Sequence, residues 1–560
     1  MQVHDSVHRL ARLLLGIAAP RALKGPHYLS RPVEQTAPPS ACSPALAYCP
    51  SVQRVVWLVL ILFLSTACQR GIPTATPLPT TVPSLPTTPT TWPSTWTPVP
   101  TLTPVATATR VVVPVEATAT TAPPTAQATR TPAPAGSVPD PILVTEGTIT
   151  LQSYGWQQAL VDSAPDDPIY PYPRLDRDKI QPPGPVTYKT ITIENTATRL
   201  ILLPELGGRI LRWLDKTSGK EMFYANPVIK PTHWGARGWW LATGGMEWAF
   251  PVEEHGYVEW RPWNVQIVRG GDQASVVLSD IDDRTGLVVE VMVSLEAGHS
   301  AVILRPRIHN PTDSAQTFQF WLNGMFALSP DNRPSPELRF ILPCDTVTVH
   351  STGDGGLPEA GQPMGWPVHD GRDMGRYGNW QGWLGAFAPP VTYMGAYDPS
   401  SDMGVVRVWP GRISRGAKIF GHGGLDPGIW TDDGSGYVEL WGGLTPTFWD
   451  STSLASGAEV SWEERWYSLN GLGGLSYAND DAALWLSAGE NDVQAGVLST
   501  RLIEGQLVLA RAGDVIASWP VDLVPGVPFR AQVPVEGTAG TWDLRLVGSD
   551  GRPLAAYRLD

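Results

Sequence analysis

Residues 190–219 read TITIENTATRLILLPELGGRILRWLDKTSG. From residue 190 to 194 the side chains alternate between polar and apolar, and Asn195 follows, which is the period-two pattern of a half-buried β-strand. Two more apolar runs follow at residues 200–203 and 210–214, with a Gly-Gly pair between them. Glycine readily adopts the backbone angles that tight turns require. The stretch therefore predicts consecutive strands joined by short turns.

Short strand-like runs of the same kind recur as far as residue 466, with clusters of turn-forming residues between them. The composition agrees, with 55 Gly, 56 Pro, 24 Trp and only 17% charged residues. No long segment carries apolar residues at helical spacing, so we expect an all-β protein. Residues 144–474 are predicted to form a large β-sandwich, and residues 475–560 a small immunoglobulin-like β-sandwich.

The chain begins with segments that predict export. Residues 55–67, VVWLVLILFLSTA, follow Arg54 and have the length of a signal-peptide core, which is too short for a membrane-spanning helix. The run ends at Cys68 and resembles a lipobox, although Ser65 stands where Leu is usual and Leu64 lies one place early. We interpret residues 54–68 as a signal peptide that leaves Cys68 lipidated. Ordinary signal cleavage and an uncleaved anchor are the alternatives. Residues 1–53 are interpreted as an unstructured extension or a misassigned start.

Residues 69–140 consist almost entirely of Thr, Pro, Ala, Val and Ser. Such a segment cannot bury a core, so we expect a disordered linker. At about 3 Å per residue it reaches on the order of 150–200 Å. Signal, cysteine and linker together predict an exported lipoprotein, anchored in the membrane on the extracellular side of the cell.

Charge and cysteine content exclude other classes. The net charge of −13 disfavours a nucleic-acid partner, because phosphate binding needs a basic surface. The four cysteines, Cys42, Cys49, Cys68 and Cys344, have no spacing typical of a disulfide framework or a zinc site. We expect no metal and no cofactor, and Cys344 is interpreted as a packed core residue.

Several ordered motifs together resemble a known family. They are Ile193-Glu194-Asn195, Leu203-Pro204-Glu205-Leu206-Gly207-Gly208-Arg209, Gly244-Gly245-Met246-Glu247-Trp248, His255-Gly256, Gly416-Ala417-Lys418-Ile419, Tyr437-Val438-Glu439-Leu440 and Trp462-Glu463-Glu464-Arg465-Trp466. Over residues 187–474 the sequence is similar to an uncharacterised bacterial family of the galactose mutarotase-like superfamily, catalogued as domain of unknown function 5107. The resemblance implies a β-supersandwich with a sugar-binding cleft on one open face.

The resemblance also implies candidate site residues. Mutarotation needs a base at the anomeric hydroxyl and an acid at the ring oxygen. Glu439 matches the late-strand base of the epimerase branch, and His255 matches the His of its early His-Gly pair. Asn323 stands where true mutarotases carry a central acidic His, and an amide cannot donate a proton as an acid. Trp441 stands where the family usually has a Gln after the late Glu-Leu pair. The predicted sugar-contacting residues are Arg209, His233, Glu247, Trp248, Asn323 and Trp441.

These departures favour binding over turnover, since aromatic faces stack on the apolar faces of sugar rings. We therefore predict a cell-surface carbohydrate-binding protein. One alternative is a sugar-active enzyme with Glu439 as its base, either an aldose epimerase or a glycoside hydrolase or lyase that also uses Glu247. The other alternative is a structural envelope protein. Whether the chain is an enzyme stays open at this point.

Overall fold

A computed structural model describes residues 141–560 of the chain. The described part is built from β-strands and four short 3-10 helices, as the alternating sequence pattern predicts. The predicted signal peptide, the lipidation of Cys68 and the linker fall outside the described residues. Within residues 141–560, no helix has both the length and the apolar character needed to span a bilayer.

The strands between residues 143 and 468 carry the site. In chain order they are β1 (Leu143–Gly155), β2 (Leu160–Val161), β3 (Arg174–Leu175), β4 (Gln181–Glu194), β5 (Thr198–Leu203), β6 (Arg209–Asp215), β7 (Lys220–Glu221), β8 (Ala225–Pro231), β9 (Leu241–Gly244), β10 (Met246–Ala249), β11 (Asn264–Gly270), β12 (Gln273–Ile281), β13 (Val288–Glu296), β14 (Val302–His309), β15 (Gln316–Phe318), β16 (Trp321–Phe326), β17 (Arg339–Ile341), β18 (Thr346–Thr352), β19 (Pro363–Gly365), β20 (Val368–His369), β21 (Arg372–Asp373), β22 (Leu384–Phe387), β23 (Tyr393–Asp398), β24 (Met403–Val408), β25 (Gly416–Gly421), β26 (Val438–Gly443), β27 (Thr452–Leu454), β28 (Glu459–Ser461) and β29 (Glu464–Ser468). The 3-10 helices are Gln157–Ala159, Arg177–Lys179, Tyr377–Asn379 and Pro427–Ile429.

Two large sheets form this body. The first has 14 strands in the order β19-β18-β22-β25-β26-β16-β10-β6-β5-β4-β1-β8-β9, with β7 paired to β6. The second has nine strands in the order β11-β12-β13-β14-β29-β24-β23-β17, with β28 paired to β14. One apolar core contains side chains from both sheets, such as Leu322 and Leu440 from the first and Val289, Leu304 and Val405 from the second. The predicted large β-sandwich is confirmed.

A buried ion pair lies in the core between the sheets. Arg407 of β24 donates to both carboxylate oxygens of Glu464 on β29, at 3.2 and 2.8 Å, and both side chains are fully buried. The indole nitrogens of Trp462 and Trp466 donate to the same carboxylate. Gly442 on β26 leaves room for the guanidinium, because a Cβ there would collide with it. Desolvation of these charges is offset by this full set of hydrogen bonds.

The chain ends in a small β-sandwich with its own core. Its strands are β30 (Tyr477–Ala478), β31 (Ala482–Ala488), β32 (Asp492–Ser499), β33 (Ile503–Arg511), β34 (Asp514–Leu523), β35 (Phe529–Pro534), β36 (Trp542–Gly548) and β37 (Pro553–Leu559). They form two four-stranded sheets, β30-β31-β32-β35 and β34-β33-β36-β37. A further apolar cluster, including Tyr397, Tyr467 and Leu498, joins this sandwich to the large one.

Along four neighbouring strands of the 14-stranded sheet, side chains point alternately into the core and outward. Trp248, Leu322, Ile419 and Leu440 point into the core between the sheets. Since neighbouring residues of a strand point to opposite faces, the residues next to them point outward. The pairing of β10, β16, β26 and β25 places four outward residues side by side in one row: Glu247, Asn323, Trp441 and Lys418.

Candidate functional site

A cleft of about 410 Å3 lies over the outward face of this sheet. Its volume is that of a small-molecule site, which typically measures roughly 300–1,000 Å3. Loops and strands from four regions of the chain contribute to its wall. The lining residues are Trp234, Trp240, Glu254, His255, His350, Ser351, Trp383, Lys418, Phe420, His422, Leu425, Ile429, Trp430, Tyr437, Glu439 and Trp441.

Glu439 is the carboxylate on the floor of the cleft. It belongs to β26, and its side chain is 4% exposed. One carboxylate oxygen accepts a hydrogen bond of 2.8 Å from Trp441 Nε1, and the other accepts one of 3.3 Å from Asn323 Nδ2. Burial raises the pKa of Glu439, and the positive charges of Lys418 and His255 offset this only in part. The carboxylate is thus held rigidly and retains lone pairs for a ligand.

His255 is oriented by a carboxylate behind it. Its Nδ1 lies 2.5 Å from Oε1 of Glu247, and its ring stacks on Trp240 with a centroid separation of 3.7 Å. Burial alone lowers the pKa of His255, but the charge of Glu247 and the hydrogen bond to it outweigh burial, so that the pKa is raised. A carboxylate on one ring nitrogen fixes the tautomer and leaves Nε2 for a ligand.

Arg209 holds Glu247 of the His255–Glu247 pair in place and does not line the cleft. Its guanidinium lies 3.3 Å from Glu247, donates to the carbonyl oxygens of Leu206 and Glu259, and is fully buried. A second buried ion pair, Arg237 with Glu259 at 2.6 Å, adjoins it. The predicted contact between Arg209 and sugar hydroxyls is therefore replaced by a role in holding Glu247, because the guanidinium has no exposed surface.

Lys418 is the cation in the cleft. It projects from β25 beside Trp441 and is 3% exposed. Its Nζ lies 4.7 Å from the ring centroid of Trp441, 4.6 Å from that of Phe448 and 5.0 Å from that of Phe420. Burial lowers the pKa of Lys418 to about 8, against the opposing charge of Glu439. The ammonium group is therefore mostly charged at neutral pH.

Two further imidazoles in the wall are neutral at physiological pH. Burial lowers the pKa of His350 and of His422 to about 3. His422 stacks on Trp430, with ring centroids 3.9 Å apart. Neither of its ring nitrogens has a hydrogen-bond partner within residues 141–560. Both neutral rings enlarge the aromatic wall, and His422 adds two ring nitrogens that no described residue pairs with.

The structure brings some predicted site residues together and separates others. His255, Glu439 and Trp441 line the cleft, while Glu247 and Asn323 lie directly behind the first two. Trp248 does not contact the cleft: it packs in the core and donates to the carbonyl oxygen of Gly208 at 3.0 Å. It follows Glu247 in the same strand, so the two side chains must point to opposite faces. His233 is exposed and lies outside the lining set.

Several lining residues were not predicted from the sequence as site residues: Lys418, His350, Trp383 and Trp430. One of them carries a local signal, since Lys418 is the single charged residue of the strand GAKIFG, whose neighbours are apolar or Gly. An unpaired buried charge destabilises the fold. A lysine at such a position is therefore a candidate functional residue. Trp383 and Trp430 lie in irregular segments, and His350 lies on β18, so their places in the cleft depend on distant pairing.

Within residues 141–560, no group of three or more His, Cys, Asp or Glu side chains is arranged to hold a metal ion. Cys344 is partly buried against the core, and burial raises the pKa of its thiol to about 11. The side chains that line the cleft offer carboxylates, imidazoles, an ammonium group and indole rings.

Comparison with protein families gives two matches. Residues 165–459 match the family described as domain of unknown function (DUF5107). Residues 477–557 match the family described as YphG-like protein, second domain. The two matched segments correspond to the large and the small β-sandwich.

The chain also matches solved structures of proteins from several bacteria. A TPR-domain containing protein from Parabacteroides distasonis ATCC 8503 is 23% identical, with a TM-score of 0.52 over 60% of this chain and 56% of that one. The present chain thus spans little more than half the length of that protein, and the likeness shows a shared fold. Slr1438 from Synechocystis sp. PCC 6803 is 14% identical, with a TM-score of 0.38 over 50% of this chain and 96% of that one. A galactose mutarotase related enzyme from Lactobacillus acidophilus is 13% identical, with a TM-score of 0.36 over 50% of this chain and 97% of that one.

Proposed function

The chain belongs to the family described as domain of unknown function DUF5107, and we propose that it is a cell-surface protein that binds carbohydrate in the cleft of its large sandwich. The single observation that carries this proposal is the combination of lining groups. Five tryptophans surround a few converging polar groups: Trp234, Trp240, Trp383, Trp430 and Trp441. Large rings supply apolar contact to sugar faces, while carboxylate and imidazole groups bind hydroxyls.

The geometry of Glu439 supports recognition of hydroxyl groups. A carboxylate offers about four lone-pair sites, and Trp441 and Asn323 occupy two of them. The remaining two are left for a ligand, since Glu439 lines the cleft. Charged hydrogen bonds of this kind are worth about 1.5–3 kcal/mol each, which is enough to select hydroxylated ligands over apolar ones.

An aldose epimerase-like enzyme is the second candidate, and one observation favours it. His255, which Glu247 holds from behind, and Glu439 line the same cleft, so an acid and a base are both available to a bound ligand. His255 with its raised pKa is suited to protonate a ring oxygen, and Glu439 to accept the anomeric proton. A purely structural envelope role fits less well, because it calls for a cleft filled by packed rings, and this cleft is open.

The place of action is part of the proposal. The signal-like segment, Cys68 and the Thr/Pro-rich linker support an exported lipoprotein that presents the cleft away from the membrane. Cys68→Ser is the test. We expect the variant to lose incorporation of labelled fatty acid and to leave the membrane fraction. If it stays membrane-bound and labelled, this location is wrong.

The functional test is a titration of the full chain with neutral and acidic mono- and oligosaccharides. Tryptophan fluorescence is the signal that reports binding. NMR of the same mixtures reports anomeric exchange or cleavage. Binding without faster exchange supports recognition alone, whereas accelerated exchange or new products support the enzyme. Failure of every sugar to bind contradicts both.

Two matched variants locate the binding. Trp383→Ala removes a half-buried ring from the cleft, and Trp485→Ala removes a half-buried ring from the small sandwich. We expect only Trp383→Ala to weaken sugar binding. Equal losses in both variants would point to a general folding defect and against the cleft.

A further inference from the structure

Lys418 is a buried cation that forms no direct ion pair within the described residues. Its side chain is 3% exposed and lines the cleft. Among residues 141–560 it forms no ion pair, and its ammonium group donates no hydrogen bond. Three other buried cations are each paired with a carboxylate: Arg209 with Glu247, Arg237 with Glu259, and Arg407 with Glu464. An ammonium group left unpaired in a buried position is costly unless something that binds there compensates it.

The surrounding groups compensate this charge only in part. Three aromatic rings lie around Nζ, at 4.6–5.0 Å from their centroids. Contacts between a cation and aromatic rings stabilise the charge by less than its removal from water costs. Glu439 and Glu254 also act on Lys418 through their charges, but neither carboxylate of residues 141–560 lies within ion-pair distance of the ammonium nitrogen. The carboxylate of Glu247 is paired with His255 and Arg209 instead.

We propose, on the basis of the proposed carbohydrate-binding function, that the ligand is an acidic sugar whose carboxylate pairs with Lys418. A hexuronic acid has the required chemistry, since it carries one carboxylate on a ring of hydroxyls. Its hydroxyls bond to Glu439 and His255, its ring packs on the tryptophans, and its carboxylate completes the ion pair that the protein leaves open.

A carboxylate fits this place better than a phosphate ester. A single ammonium group balances one negative charge, whereas a phosphate ester carries about −1.5 to −2 at neutral pH. The cleft also holds the carboxylates of Glu254 and Glu439, which repel any excess negative charge on a ligand. The balance of charge therefore favours a monoanion.

The test compares ligands that differ only at one carbon. The full chain is titrated with galacturonic and glucuronic acids, with galactose and glucose, with the methyl esters of the two acids, and with the corresponding hexose 6-phosphates. We expect the free acids to bind at least about tenfold more tightly than the neutral sugars and the esters, as one charged hydrogen bond predicts. The ester comparison needs no protein variant, so it holds even if a Lys418 variant does not fold.

Protein variants assign the preference to one side chain. Lys418→Met keeps most of the length of the side chain without its charge, and we expect the ratio of acid affinity to neutral-sugar affinity to fall to about one. Lys189→Met, at an exposed site on β4, is the control and should keep the preference. A preference that survives Lys418→Met would overturn the assignment.

The outcomes separate this inference from the function on which it rests. Equal binding of acids, esters and neutral sugars would overturn the acidic ligand and leave carbohydrate binding intact. Tighter binding of the 6-phosphates than of the uronic acids would overturn the proposal that the anionic group of the ligand is a carboxylate. Failure of all sugars to bind would remove the proposed function itself, and the acidic ligand with it.

Discussion

Replacing Glu439 by Gln should weaken sugar binding and, at neutral pH, make the protein more stable. Gln keeps the shape of the side chain, and its oxygen still accepts the hydrogen bond of Trp441 Nε1. Asn323 Oδ1 is buried without a partner among residues 141–560, so turning this amide over lets it accept from the new Gln nitrogen. Both internal hydrogen bonds are therefore kept, and only the charge is lost.

The loss of affinity follows from the two lone-pair sites that face the ligand. Each bond from a sugar hydroxyl changes from a charged one, worth about 1.5–3 kcal/mol, to a neutral one, worth about 0.5–1.5 kcal/mol. With one or two such bonds the total loss is about 1–3 kcal/mol, or about 5- to 150-fold in Kd. Fluorescence titration with the tightest sugar of the panel measures it. Glu290→Gln, on β13 of the other sheet, is the control.

The change in stability has a definite sign. Burial raises the folded-state pKa of Glu439 above its unfolded value. The protonated side chain therefore favours the fold: its contribution is fully present below the unfolded pKa and is lost as the pH rises through the folded pKa. Glu439→Gln avoids this loss, so it should unfold at a higher denaturant concentration than the wild type near pH 7. The two proteins should converge below about pH 4, near the unfolded pKa of Glu.

Two results would refute this reasoning. An unchanged Kd for every sugar would show that Glu439 does not contact the ligand. A lower stability of the variant at pH 7, with no convergence in acid, would show that the carboxylate is compensated in the fold and not held ready for a ligand.

Three further changes test the network around the cleft and the core. Arg407→Met leaves Glu464 charged in the core, so we expect a loss of about 3–5 kcal/mol in the free energy of unfolding, measured by denaturant titration. The loss should shrink when Glu464→Gln is added, and equal losses in both proteins would argue against the ion pair. Glu247→Gln removes the charge that raises the pKa of His255, so the NMR titration of this imidazole should shift to lower pH; an unchanged midpoint would contradict the pairing. Gly245→Ala places a Cβ against backbone at a φ of +80°, and it should reduce the yield of folded protein on expression, whereas a normal yield would show that the turn can relax.

Local sequence patterns carried the architecture a long way. The alternation in residues 190–194 and the runs around the Gly-Gly pair predicted β4, β5 and β6. The ordered motifs predicted the family, and the family match over residues 165–459 confirms it. Both kinds of signal are short-range, because a strand needs only period-two alternation and a turn needs only a few residues of the right type.

The cleft depended on information that no local pattern contains. The motif Gly-Met-Glu-Trp suggested that Glu247 and Trp248 act together, yet one lies behind the cleft and the other in the core. Neighbouring residues of a strand point to opposite faces of the sheet. Which of the two faces the cleft depends on which face the second sheet covers, and only the tertiary structure shows this. Sequence motifs did single out His255, Glu439 and Trp441, which line the cleft together.

The amino-acid sequence alone was enough to establish that the chain forms strands, where many of them lie and which family they belong to. The folded chain was needed to show that Lys418 stands beside Trp441 and near Glu439, because the register of β25 against β26 brings them together. It also revealed that Arg209 is enclosed and that Trp383 and Trp430 form part of the wall. Strand formation is a local preference, whereas the charge balance of a cleft arises from side chains that only long-range pairing makes neighbours.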